Sequence, residues 1–340
     1  MRNAFQAIFN CFLRISCTTL SVVAHADVTV SGTVSASTTI PTAPSRDINQ
    51  DLKIYGSLAA LIANYGNEIK EALELKSLGF SAYQQDMRAS PLTLSEPESV
   101  FELKATKEIS NFNLDLQHTR RSYLAHESTI NQIGIKLPNL HDDFEIAFHY
   151  GRKNHDILGM PTYTPVKLQS DFFGTDISHQ YKNFKINYSQ ERRWGEESIF
   201  EMYRNGAGSI RYLIPMFYGQ LYSDEFKSIK KKLELSYISD DLNLGYSVIN
   251  QKQTFGCVYS NYVCSHTLYP LYIEDTTKIK SAYIDKRLND SLSVKAERIE
   301  GLLHQDNQYS ATYKTSKTSA IRATYNNLTK RFYGGLEVNF

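Results

Sequence analysis

The stretch RFYGGLEVNF, Arg331 to Phe340, alternates without a break. Phe332, Gly334, Leu336, Val338 and Phe340 share one face at period two, and Tyr333, Gly335, Glu337 and Asn339 share the other. This is a strand with one apolar and one mixed face, running to an aromatic residue where chain ends are ordinarily polar and frayed. Its apolar face requires a cover.

The same alternation recurs along the chain. VFELKAT carries Phe101, Leu103 and Ala105 on one face, FNLDLQ carries Phe112, Leu114 and Leu116, and FEIAFHY carries Phe144, Ile146, Phe148 and Tyr150. LELSYISDDLNLGYSV reads as a hairpin turning at Ser239 to Asp241. Short polar turns fall near Ile109, Asn139, Asn183, Ser239, Asn289 and Ser316, and longer links occupy residues 84–98, 153–172, 253–275 and 300–307. Tight turns at one end and long loops at the other are the pattern of an all-β, antiparallel up-and-down barrel that spans a membrane. A β-sandwich has no reason to sort its connections this way. The strand starts, including ones near residues 51 and 70, imply about sixteen strands, with eighteen possible.

Composition narrows the class. Lys+Arg 37 against Asp+Glu 36 gives a nearly neutral chain, which lends no support to a polyanion partner and implies no nucleic-acid role. No run of about eighteen apolar residues exists, so helical membrane spans are excluded while strands that are apolar at every second residue are not. Arg2, the apolar ISCTTLSVVA and the small-x-small AHA at Ala24–Ala26 read as a secretory signal cleaved after Ala26, leaving residues 27–340 as one barrel domain. Lipid attachment at Cys17 is the weaker reading, because Arg14 and Ile15 stand where small residues are needed. In an exported chain the remaining cysteines, Cys257 and Cys264, are expected to form a disulfide; a metal site with His266 would lack further ligands.

Alternation alone does not say which face points outward. Export, the strand number and tyrosines near strand ends (Tyr150, Tyr188, Tyr237, Tyr246, Tyr283, Tyr313, Tyr325) favour lipid outside and water inside. The lumen would then be lined by Glu102, Lys104, Lys136, Glu145, Lys185, Arg211, Lys232, Lys295, Lys314 and Arg322, with Lys278 and Lys280 on the same side. Bases outnumber acids on that face, so a weak anion preference is expected.

GLEVNF, with Gly335, Val338 and Phe340, resembles the C-terminal assembly signal of Gram-negative outer-membrane barrels. LKIYGSLAALIANYG is similar to the first strand of general diffusion porins. Taken with the signal segment, residues 27–340 as a whole resemble a Gram-negative outer-membrane porin. That resemblance implies an outer-membrane location and passive diffusion of small hydrophilic solutes and ions through a water-filled channel, without a cofactor. It also implies a homotrimer, contact with outer-membrane lipids and lipopolysaccharide, and recognition by the barrel-assembly machinery. The porin constriction-loop motif is absent, and residues 153–172 are the best candidate for an inward-folded loop.

Two other classes compete. A barrel hydrolase would need an Asp/His/Ser constellation. LHDD (His141, Asp142, Asp143) sits in a short turn, His118, His126 and His155 read as solvated residues of polar loops, and neither G-x-S-x-G nor H-E-x-x-H occurs, so no enzyme is expected. A ligand-specific oligosaccharide channel, or a sugar-binding β protein, would use Trp194 in ERRWGEE to stack on a sugar ring. The basic runs KSIKKK (Lys227–Lys232) and Arg120–Arg121 read as a solvated rim.

Overall fold

The computed structural model describes residues 64–85, 98–123, 126–137, 143–157, 165–198, 221–262, 265–269, 273–301, 305–327 and 330–340. The strands are β1 (Ser77–Gln85), β2 (Glu98–Ile109), β3 (Phe112–Tyr123), β4 (His126–Lys136), β5 (Phe144–Ile157), β6 (Val166–Tyr181), β7 (Phe184–Ser198), β8 (Leu221–Ile238) and β9 (Leu242–Tyr262). They continue with β10 (Ser265–Tyr269), β11 (Ile273–Arg287), β12 (Leu292–Glu300), β13 (Gln305–Lys314), β14 (Ser319–Asn326) and β15 (Arg331–Asn339). Neighbours pair antiparallel throughout. β1 pairs with both β15 and β2, and β9 pairs with both β8 and β11, so the sheet closes on itself. Among the described residues β10 pairs only with β9, as a projecting hairpin, which leaves a barrel of 14 strands.

Fourteen replaces the sixteen expected. The strand expected near residue 70 is a helix over residues 64–72, which covers the end of the stretch likened to a first porin strand; the rest of that stretch and the RNGAG pair lie outside the described residues. The expected inward loop at 153–172 is largely strand, as β5 runs to Ile157 and β6 starts at Val166. Likewise, much of the link at 253–275 is strand, in β9, β10 and β11.

One end of the barrel, here the turn end, carries the tight connections. Ser110 and Lys182 have positive φ, 50° and 53°, in the two-residue turns after β2 and β6, a backbone sign suited to joining twisted antiparallel strands. The other, loop end is lopsided. β5, β6, β7, β8, β9 and β11 have 14, 16, 15, 18, 21 and 15 residues, whereas β12 to β15 and β1 have 8 to 10, so the barrel rises higher on one side.

The long strands change character partway up. Near the turn end the outward residues are apolar and exposed, among them Phe148, Tyr150, Ile186, Leu233, Leu235, Leu244 and Ile284. The inward residues there are charged, with Lys136 paired to Glu145 and Lys232 to Glu234 across or along the wall. Toward the loop end the polarity inverts. Ile157, Leu168, Phe172, Phe226 and Phe255 face inward and are buried, and Phe226 packs on Phe255 with ring centroids 4.9 Å apart. Outward there stand Arg152 with Asp171 and Lys252 with Glu274, each pair 2.8 Å apart. Adjacent residues mark the phase: Phe172 is 2% exposed and Phe173 is 44% exposed. On β5 the apolar outward band runs from Phe144 to Tyr150, and on β8 from Ile229 to Tyr237, interrupted by the outward Lys231. Seven to nine residues on strands tilted about 40° span roughly 18–23 Å, close to the ~25 Å apolar belt of a membrane barrel.

Aromatic pairs edge this band. Phe184 packs on Tyr237 (5.3 Å) near the turn end, while Phe148 stacks on Phe173 (6.4 Å) and Tyr325 on Phe332 (4.7 Å) toward the loop end. Tyr283 departs from the expected girdle. It faces inward, its hydroxyl donating to Glu234 at 3.3 Å and its ring lying under Lys295.

The seam where the chain closes is covered differently from the rest of the outer face. Phe340 and Leu78 exchange backbone hydrogen bonds of 2.8 and 3.2 Å. Phe80, Phe101 and Val338 form a buried cluster with Ala82, Leu103, Leu336 and Phe340 around it. Helix 64–72 closes onto this seam. A Cβ on Gly66 would collide with the Phe340 ring, and the Lys107 ammonium reaches the Leu73 carbonyl and the Glu74 carboxylate, each at 3.2 Å. The last strand therefore shows an open apolar face only toward its start, at Phe332; its end is covered by protein rather than left to lipid.

Candidate functional site

The strand register places nine of the expected lining residues on the inner wall: Glu102, Lys104, Lys136, Glu145, Lys185, Lys232, Lys295, Lys314 and Arg322. Arg211 lies outside the described residues, as do Cys264 and the pair His141–Asp142. Lys278 and Lys280 point outward instead. Between them Ile279 is buried and faces the lumen, because this part of β11 already belongs to the inverted half.

Most of the inner charge is paired. Lys104 sits 3.0 Å from Glu102, Lys136 2.9 Å from Glu145, Lys232 2.5 Å from Glu234 and Lys295 2.9 Å from Glu297. Three of these four are i,i+2 pairs, which a strand puts on the same face. His149 lies 3.1 Å from Asp176 and 3.9 Å from Glu191, and Thr106 donates to Asp115 at 2.7 Å. Each ion pair in a wet lumen is worth about 0–1 kcal/mol. Their effect is to cancel charge locally, so counting bases against acids overstates the field of the wall.

A cavity of about 620 Å³ lies in the lumen, lined mostly from the short strands β1 and β13 to β15 and reaching β8, β9 and β11. Its polar lining includes Ser81, Tyr83, Glu98, Glu102, Lys104, Arg121, Lys230, Lys232, Gln251, Gln308, Arg322, Thr324 and Asn326. One cross-strand row runs through it: Arg322 faces Gly335, Gly335 faces Tyr83, Tyr83 faces Val100 and Val100 faces Arg121. Gly335 packs tightly on Tyr83, where a Cβ would lie 2.8 Å from the Tyr83 Cβ. Arg121 had been read as rim; alternation from Phe112, Leu114 and Leu116 outward puts residue 121 inside, and that signal was present in the sequence. Its neighbour Arg120 points outward and binds Glu127 at 2.5 Å.

A second constellation lies in the inverted half. Lys153 (0% exposed) meets Glu197 (0%) at 2.7 Å, His155 meets the other Glu197 oxygen at 2.9 Å, and His126 meets His155 at 3.0 Å. Arg193 stands 3.8 Å from Glu197 and over the Phe172 ring at 5.4 Å. Of the histidines expected as solvated loop residues, His126 and His155 are thus strand residues of a dry core, and His118 is a part-buried residue of β3 within 2.8 Å of Asn131. The register between β7 and β8 shifts by one residue between Gly195 and Glu197. Gly195 has φ 123°, a conformation open to glycine, and a Cβ there would lie 2.6 Å from the Gln169 carbonyl. Trp194, expected in a loop, is an outward strand residue of β7. Among the described residues no group of His, Cys, Asp and Glu could hold a metal ion.

No protein-family model and no curated protein matches the sequence. Among solved structures, similar folds include a Pseudomonas aeruginosa FadL homologue (11% identity over 77% of this chain and 86% of that one, TM-score 0.41) and the Pseudomonas putida toluene transporter TodX (7%, 77% and 86%, 0.47). Salmonella typhi OmpF, in complex with daunomycin, is also among them (8%, 78% and 97%, 0.37). All three are β-barrels of the bacterial outer membrane.

Proposed function

We propose that this chain is an outer-membrane channel that passes small hydrophilic solutes through a polar lumen, without enzymatic chemistry. The observation that carries this reading is the inversion of faces in the turn-end half: apolar residues outside, ion pairs inside. A soluble barrel with Phe148, Tyr150, Leu233 and Leu235 exposed together would present an aggregating surface, whereas lipid solvates it. A closed barrel also leaves no strand edge unpaired in the bilayer.

The packed loop-end half favours a selective channel over an open diffusion pore. Phe172, Phe226 and Phe255 with the Glu197 cluster fill the inside beneath the long strands, which restricts passage to the short-strand side where the polar cavity lies. Planar-bilayer recording of the purified full chain is the direct test. Discrete conductance steps that saturate with a permeant solute support a selective channel, and large unsaturable steps favour an open pore. Folded protein that stays soluble without detergent would overturn both.

A further inference from the structure

We infer that the lumen cavity is a binding site for a small hydroxylated carboxylate, held between Arg121 and Arg322. The inference rests on the channel reading for its role but on the cavity itself for its chemistry. Among the described residues Arg121 Nε is buried with no hydrogen-bond partner, a costly state for a guanidinium unless something supplies an acceptor. Among the same residues the one hydrogen bond of Arg322 is to the Ser310 hydroxyl, at 3.4 Å. Of the three acids that line the cavity, Glu102 is engaged by Lys104 at 3.0 Å and by the Tyr83 hydroxyl at 3.5 Å, Glu337 by the Asn339 amide at 2.7 Å, and Glu98 is buried, 3% exposed.

The two arginines lie on one row of the wall, separated by Gly335, Tyr83 and Val100, and both line the same cavity. Planar guanidinium forks match a carboxylate in both shape and charge. Around them Gln251, Gln308, Thr324 and Asn326 offer amides and a hydroxyl suited to ligand hydroxyls. A volume near 620 Å³ falls within the range of small-ligand sites and is large enough for a sugar acid with some water. The lining is too polar for a hydrocarbon or a fatty acyl chain.

Isothermal titration of the detergent-solubilised full chain with gluconate, and with glucose as the uncharged control, tests the site without requiring transport. Gluconate is expected to bind at least tenfold more tightly than glucose. Arg121→Gln and Arg322→Gln are each expected to weaken gluconate about tenfold or more, with Arg322→Lys recovering part of the loss. Equal binding of gluconate and glucose, or no effect of either substitution in a protein that keeps its β-sheet circular dichroism, overturns the inference. Conductance is read separately. A channel that conducts but does not bind gluconate retains the transport reading and sinks only the site, while binding without conductance does the reverse.

Discussion

Strands β5 to β9 pass through two environments, and the two halves of each obey opposite rules. At Phe148 and Tyr150 the outward side chains are apolar and the inward His149 is ionically paired. Three to seven residues further along β5, Lys153, His155 and Ile157 are inward and buried, while Arg152 bonds Asp171 on the outside. The backbone and its hydrogen bonds do not change across the boundary; the solvent on each side does. The turn-end half behaves as a membrane barrel with a wet interior, and the loop-end half as a soluble barrel with a dry one. An ion pair should therefore be nearly silent in the first and costly to break in the second.

The sharpest way to break this comparison is Glu197→Ala. It removes the buried carboxylate that Lys153 and His155 both meet, and removing one member of a buried pair costs about 3–5 kcal/mol. Guanidinium unfolding of the lipid-reconstituted protein should show that loss. A change below about 1 kcal/mol would mean that the loop-end interior is wet.

Phe172 and Phe173 test the same boundary with one side-chain type. Phe172→Ala empties a buried ring site beside Arg193 and His149 and should cost about 3–5 kcal/mol. Phe173→Ala leaves no cavity, and its loss should stay near 1 kcal/mol. Equal losses in the unfolding curves would refute the phase assigned to β6.

The sequence was readable only in the half whose phase it announced. In β5, Phe144 to Tyr150 alternates plainly, but beyond Tyr150 the outward set becomes Arg152, Asn154 and Asp156. A search for apolar-out alternation stops there and reads a polar loop, which is how residues 153–172 were expected to fold inward and how His126 and His155 were expected to be solvated. The error at Lys278 and Lys280 has the same cause: Ile279 is apolar because it faces a packed interior, not lipid. Lumen residues nearer the turn end, such as Glu102, Lys104 and Glu145, were legible from alternation alone. What alternation could not convey is pairing across strands. The i,i+2 partners Lys232–Glu234 and Lys295–Glu297 are visible in one dimension, whereas the isolation of Arg121 and Arg322 depends on the closed register.

The closing seam tests whether its outer face is sealed by protein. Gly66→Leu forces a side chain into the Phe340 ring, and overpacking of this kind costs about 1–3 kcal/mol. Phe340→Ser removes the ring but keeps the backbone bonds to Leu78, so it should lower the yield of heat-modifiable barrel more than it lowers the stability of barrels already formed. Normal yield from Phe340→Ser would defeat the assembly role expected for Gly335, Val338 and Phe340.

The smallest effect is expected for Lys232→Ala, the wet counterpart of Glu197→Ala. Lys232 and Glu234 lie 2.5 Å apart on the inner wall, and both keep some exposure to the lumen. Solvent screening limits such a pair to about 0–1 kcal/mol, so the unfolding midpoint should hardly move. In the proposed channel the charge nevertheless counts for permeation. Removing the cation leaves Glu234, among the described residues, with the Tyr283 hydroxyl as its one partner, and the wall becomes more negative beside the cavity. At low salt, where the screening length lengthens from about 10 Å at 0.1 M toward about 30 Å at 0.01 M, the reversal potential under a KCl gradient should shift toward cations. At 1 M salt the wild-type and variant potentials should converge. A stability loss comparable with that of Glu197→Ala, or a selectivity shift that persists undiminished at 1 M salt, would mean that the turn-end lumen is not water-filled.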